Sequence, residues 1–90
     1  MRVRWSEPAA DDLADISGYI RGDNAAAARR VAKTIYDGCE SLIHFPHRGR
    51  KGKQAGTRER VFAPLPYLSV YRVQKDVVEI LHIWHGAEDL

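Results

Sequence analysis

Residues 57 to 85 constrain this chain more than any other stretch, because they read as three consecutive β-strands. Thr57-Arg58-Glu59-Arg60-Val61-Phe62 is the first, Tyr67-Leu68-Ser69-Val70-Tyr71-Arg72-Val73 the second, and Val77-Val78-Glu79-Ile80-Leu81-His82-Ile83-Trp84 the third. β-branched and aromatic residues dominate the last two runs, and both have strand length. Gln74-Lys75-Asp76 is a polar three-residue link of hairpin type. Pairing Val73 with Val77 sets Val70 opposite Ile80 and Leu68 opposite His82, with even-numbered residues on one face and odd-numbered residues on the other. Both faces are mostly apolar, which predicts a hairpin lying inside a larger sheet, with neither strand at a bare edge.

The upstream half supplies what covers that sheet. Arg2-Val3-Arg4-Trp5 alternates as a short strand does, and Ser6 is placed to cap a helix with Glu7 and Pro8 in its first turn. Leu13, Ile16 and Ile20 give that helix one apolar stripe, and Gly22 ends it. Asp23 or Asn24 caps a second helix, whose Ala28, Val31, Ile35, Gly38 and Leu42 form a narrow seam for packing along another helix. Phe45-Pro46 stops it near His44. Residues 45 to 56, with three glycines and four cations, read as a flexible, exposed basic loop. Ala63-Pro64-Leu65-Pro66 makes a rigid corner before the hairpin, and the tail from Gly86 leaves the sheet. The expectation is one α+β domain over residues 1–90, ordered β-α-α-β-β-β. Its helical hairpin packs on one face of a mostly antiparallel four-stranded sheet. The second face stays open, and beside the basic loop it is the natural place for function.

Composition narrows the function classes. With 44% hydrophobic and 29% charged residues, the chain reads as a soluble globular domain rather than a disordered one. The lone Cys39 excludes an intramolecular disulfide or a cysteine metal cluster, and points to a reducing cytoplasm. No apolar run approaches the ~18 residues of a membrane span, and the N-terminus lacks a signal peptide's apolar region. The net charge of +2 conceals an asymmetry: residues 48 to 60 hold Arg48, Arg50, Lys51, Lys53, Arg58 and Arg60 against Glu59 alone. Such a cluster is either a solvated loop or a patch that meets an anionic partner, nucleic acid or acidic protein.

Candidate chemistry is sparse. His44, His47, His82 and His85 lack metal-ligand spacing, and no glycine-rich phosphate loop or nucleophile triad is present. No metal and no cofactor is expected. His85, closing the last strand, is either a general acid or base, with arginines holding a phosphodiester, or simply the strand's end. Trp84 could stack on a base or belong to the core, and Arg72 could be salt-bridged or bind an anion.

Five stretches, taken in order, resemble the RelE/ParE superfamily of type II toxin–antitoxin toxins. They are Trp5-Ser6-Glu7-Pro8-Ala9-Ala10-Asp11-Asp12-Leu13, Phe45-Pro46-His47-Arg48-Gly49, Gly56-Thr57-Arg58-Glu59-Arg60-Val61, Tyr67 to Val73, and Val78 to Ala87. The resemblance implies a compact toxin encoded beside an antitoxin whose C-terminal segment wraps and neutralises it in a hetero-oligomer. RelE-like members cleave mRNA in the ribosome with basic residues, a sheet arginine and a C-terminal tyrosine or histidine; ParE-like members block DNA gyrase. In the RelE-like case Arg58, Arg60 and His85 would be catalytic. In either case Arg48, Arg50, Lys51, Lys53, Arg58, Arg60 and Arg72 would face the target. Leu68 stands where RelE-like nucleases commonly carry arginine, and no further helix or terminal tyrosine follows His85. The resemblance therefore favours a ParE-like gyrase poison, with a ribosome-dependent nuclease as the alternative and a nucleic-acid-binding module as a third reading.

Overall fold

The computed structural model describes residues 1–86. Strand β1 (Arg2–Trp5) leads into α1 (Glu7–Arg21), α2 (Ala25–Glu40) and a 3-10 turn (Ser41–Ile43). Strands β2 (Arg50–Lys51), β3 (Arg58–Val61), β4 (Tyr67–Gln74) and β5 (Val77–His85) follow. The sheet order is β1-β5-β4-β3-β2, antiparallel throughout except for the parallel β1–β5 pair. The sheet has five strands where four were expected, because Arg50 and Lys51 pair with Glu59 and Arg58. The expected exit of the tail after Gly86 concerns residues 87–90, outside the described residues.

The caps act as their chemistry requires. Ser6 Oγ accepts the Ala9 N–H at 3.1 Å, and Asn24 Oδ1 accepts the Ala27 N–H at 2.9 Å, each satisfying a donor that has no partner inside its helix. Gly22 closes α1 through its N–H to the Ile20 carbonyl. Between the helical layer and the sheet lie Ala9, Ile35, Cys39, Leu42, Phe62, Tyr71, Val78, Ile80 and Ile83 in one buried cluster, with Val3, Trp5, Leu13 and Ile16 packed on it. Trp5 also stacks on Tyr36 at 5.8 Å and donates its indole N–H to Glu40 at 3.3 Å, which ties β1 to α2. Gly38 is needed for close approach, but to a ring rather than to another helix: a Cβ there would drive into Phe62.

The central hairpin corrects the predicted register. Gln74 pairs with Val77 and Val73 with Val78, so the link is Lys75-Asp76, with Lys75 in the left-handed region at φ 52°. Val70 then lies opposite His82 and Leu68 opposite Trp84, because a bulge between Val70 and Tyr71 shifts the pairing by one residue. A bulge puts two residues against one, so a single parity rule cannot describe both halves of the hairpin. The even-face rule survives only at its open end. Leu81, the extra residue, offers its carbonyl to Ser6 Oγ at 3.0 Å.

Candidate functional site

Arg58 stands opposite Tyr71 and Arg60 opposite Ser69 in the β3–β4 ladder. Directly paired residues share a face, and Tyr71 and Ser69 are fully buried on the helical side. Both arginines therefore belong to the helix-covered face and not to the open one. The face without helices carries instead Glu59, Val61, Leu68, Val70, Arg72, Glu79, His82 and Trp84, following the same register, and of these Glu59, Leu68 and Val70 are buried.

The charges of that open face are largely neutralised from within. Glu79 receives Arg72 Nε at 2.8 Å and Arg4 at 3.0 Å, a three-strand ladder across β1, β5 and β4. These hydrogen bonds, Arg72's first, hold the Glu79 carboxyl below its ordinary pKa. Glu59, nearly buried, takes Arg50 Nε at 3.0 Å. Of the residues expected to face a target, Arg50 and Arg72 are thus salt-bridged. Arg48, Lys51 and Lys53 have no ion pair among the described residues.

The loop before β2 is held rather than flexible over residues 45–49. The Tyr71 hydroxyl donates to the Pro46 carbonyl at 2.8 Å and accepts the Gly49 N–H at 2.9 Å. Arg58 adds donations to the carbonyls of Gly49 at 2.9 Å and His47 at 3.3 Å. A Cβ on Gly49 would lie 2.8 Å from the Glu59 carbonyl oxygen and 2.7 Å from the Tyr71 hydroxyl, so only glycine fits. Burial raises the Tyr71 pKa, against the opposing pull of the Gly49 N–H and of Arg58 and Arg60. The clamped loop leaves Phe45 63% exposed beside Pro46, His47 and Arg48, which line an open cleft of about 520 Å³.

Arg60 lies with its guanidinium carbon 5.1 Å from the Phe62 ring centroid, and its Nε is buried with no hydrogen-bond partner. Burial, and then the neighbouring Arg48, lower its pKa. His85 is exposed at the end of β5 and meets Tyr67 edge-on at 5.4 Å. The register puts His85 on the same face as Arg58 and Arg60 but two strands away from them, about 10 Å in sheet spacing alone. His82 is tied elsewhere: Asp12 accepts the Ile83 N–H at 3.0 Å and lies 3.1 Å from His82 Nδ1, while the ring stacks on Trp84 at 5.0 Å. Among the described residues no group of three or more His, Cys, Asp or Glu is placed to hold a metal ion. Trp84 is 42% exposed and is not core. The clamp by Tyr71 had no signature in the chain, since a tyrosine in an apolar strand looks like core, which it also is.

No helix of the described residues is long and apolar enough to cross a membrane. The fold resembles that of the chromosomal ParDE toxin–antitoxin system from P. aeruginosa, with a TM-score of 0.83 at 24% identity over 94% of this chain and 95% of that one. The solution structure of HP0894 from Helicobacter pylori is a more distant match, at a TM-score of 0.55 and 19% identity, covering 92% and 91% of the two chains. In sequence, the chain is 40% identical to Y4kP of Sinorhizobium fredii over 97% of its own length and 90% of that protein. It is 37% identical to toxin RelE2 of Caulobacter vibrioides over 96% of each. The model for the ParE toxin of the type II toxin–antitoxin system parDE matches residues 3–90, nearly the whole domain whose layers and loop clamp are described above. With that span and those identities, this chain belongs to the ParE toxin family of type II toxin–antitoxin systems.

Proposed function

We propose that this toxin is a ParE-like poison of DNA gyrase in the cytoplasm, kept silent by a cognate antitoxin whose C-terminal segment wraps it. What carries the reading is how the side chains a nuclease would need are already engaged. Arg58 spends its donors on the carbonyls of His47 and Gly49, Arg60 lies along Phe62, and His85 sits against Tyr67. Acid–base cleavage needs its groups to converge on one phosphodiester within hydrogen-bond reach. Grip on a protein needs only a rigid, exposed surface, to which the Phe45–Arg48 loop and, on the face without helices, Val61 and Trp84 contribute.

The test is plasmid supercoiling by purified gyrase. The expected result is loss of supercoiling or accumulation of linearised DNA with added toxin, both abolished by pre-mixing with antitoxin. Full supercoiling at molar excess of toxin overturns the reading. The ribosome-dependent nuclease is favoured by one observation, that His85, Arg58 and Arg60 share one face of the sheet. It predicts new mRNA ends in expressing cells, mapped by primer extension and lost on His85→Ala.

A further inference from the structure

The turn over residues 45–48 stands between two concavities, and His47 lines both. On one side is the open cleft of about 520 Å³ that holds Phe45, Pro46 and Arg48. On the other is a second cleft of about 340 Å³, lined by His47, Lys51, Gly56, Thr57, Arg58 and Val73. No carboxylate lines either one, whereas three cations, Arg48, Lys51 and Arg58, do. None of the three has an ion pair among the described residues.

The walls of the second cleft are fixed by the backbone. Lys51 pairs with Arg58 in the β2–β3 ladder, so both project from one face. Arg58 is half-buried and is held through Nη1, which serves the carbonyls of both His47 and Gly49. Its Nε and Nη2 make no hydrogen bond among the described residues, and neither is a fully buried atom. They are donors open to an anion. Thr57 is buried: its hydroxyl donates to the Gln54 carbonyl at 2.7 Å, and its own carbonyl takes the Gly52 N–H at 2.8 Å. A Cβ on Gly52 would collide with that hydroxyl, which shows how tightly the hairpin loop closes.

The first cleft differs in kind. The Arg48 N–H closes its turn on the Phe45 carbonyl at 3.0 Å, so an exposed ring is presented at a fixed place. Such a ring loses little freedom when a flat partner stacks on it. A ligand that satisfies both clefts has a flat ring at one end and several negative charges at the other.

We propose that the two clefts together bind a nucleoside di- or triphosphate. Its phosphates lie between Lys51 and Arg58, and its base lies on Phe45, with His47 as the wall between them. A phosphodiester brings one negative charge per unit, whereas an oligophosphate tail brings several, the better match for three cations with no carboxylate among them. Arg60 and His85 line neither cleft, so the site differs from the set that the nuclease reading requires. It is a small-molecule site, independent of the gyrase reading, and survives its failure.

Titration calorimetry with ATP and with inorganic pyrophosphate, both without magnesium, tests the assignment. ATP should bind with a Kd below about 1 mM and roughly tenfold tighter than pyrophosphate. Phe45→Ala should remove that advantage while leaving pyrophosphate within about twofold, and Lys51→Glu should weaken both ligands roughly tenfold or more. Arg29→Glu, the same change of charge at an exposed position of α2, should stay within about threefold. Circular dichroism melts establish that each variant is folded. In the wild-type protein, pyrophosphate should shift the amide signals of Gly52, Gly56 and Thr57 first. Shifts confined to other residues, no saturation by ATP at about 10 mM, or equal losses in Lys51→Glu and Arg29→Glu would overturn the site. So would ATP that binds no tighter than pyrophosphate. A single-stranded adenine decanucleotide that displaces ATP at a lower nucleotide concentration than ATP itself requires would give the clefts to a nucleic-acid strand and also overturn it.

Discussion

The hydroxyl of Tyr71 accepts the Gly49 N–H at 2.9 Å while donating to the Pro46 carbonyl at 2.8 Å, so one side chain of the central sheet closes both ends of a four-residue loop. The phenol is otherwise fully buried core, and burial and hydrogen bonding therefore depend on the same residue. Tyr71→Phe keeps the packing and orphans a buried donor and an acceptor. The expected cost is about 2 kcal/mol, read as a lower urea midpoint, together with faster amide exchange at Gly49. Unchanged exchange there would show that the loop is held without the tyrosine.

Acid should weaken the fold through Glu79. Its hydrogen bonds to Arg72 and Arg4 keep its pKa in the folded protein below the ordinary 4.5, so the folded form releases its proton more readily than the unfolded chain. The stabilisation is therefore complete above that value and fades as pH falls through the lower, folded pKa. Glu79→Gln should cost roughly 1 kcal/mol at pH 7, as partly exposed pairs do, and nothing once both pKa values are passed. Stability curves of the two proteins that stay parallel down to pH 2 would exclude this.

Cys39 gives the opposite sign. Burial pushes its thiol from 9.0 up to about 12, with Ser69 and Arg60 pulling back. The folded chain thus holds a proton that the unfolded chain gives up, and stability should fall between pH 9 and 12 by an amount that Cys39→Ala removes. At pH 8 a disulfide reagent should label the native protein only as fast as it unfolds. Rapid labelling under native conditions would contradict the burial.

Lys75 occupies a left-handed backbone conformation at φ 52°, which costs a side-chain-bearing residue about 1–2 kcal/mol. Lys75→Gly should therefore stabilise the domain slightly, by up to about 1 kcal/mol after the extra freedom glycine gives the unfolded chain. A lower melting temperature would mean that the lysine makes up that cost elsewhere.

The helices, their caps and the buried seam were legible because each depends on local spacing. Ser6, Gly22, Ala28, Ile35 and Leu42 act as their positions predict. The hairpin register was not, since it depends on a bulge that no residue type announces and on a turn one residue shorter than its polar run. Nor could periodicity show which face Arg58 and Arg60 take: alternation separates two faces without saying which one the helices cover. For Arg58 and Arg60 the expectation of cations beside the open face failed for that reason, whereas Arg50 and Arg72 do lie on that face. Phe45 was read as a helix stop and the first residue of an exposed basic loop, without the fixed turn over which it is displayed.

Strand β1 ends at Trp5, and the last residues of β5 run on with no neighbouring strand on that side among the described residues. There the start of α1 takes over: the Ser6 hydroxyl meets the Leu81 carbonyl and the Asp12 carboxylate meets the Ile83 N–H. Two side chains thus blunt a row of backbone groups that would otherwise recruit a foreign strand. Protection of this edge from cross-β stacking therefore comes from side chains of the N-cap and the first half of α1.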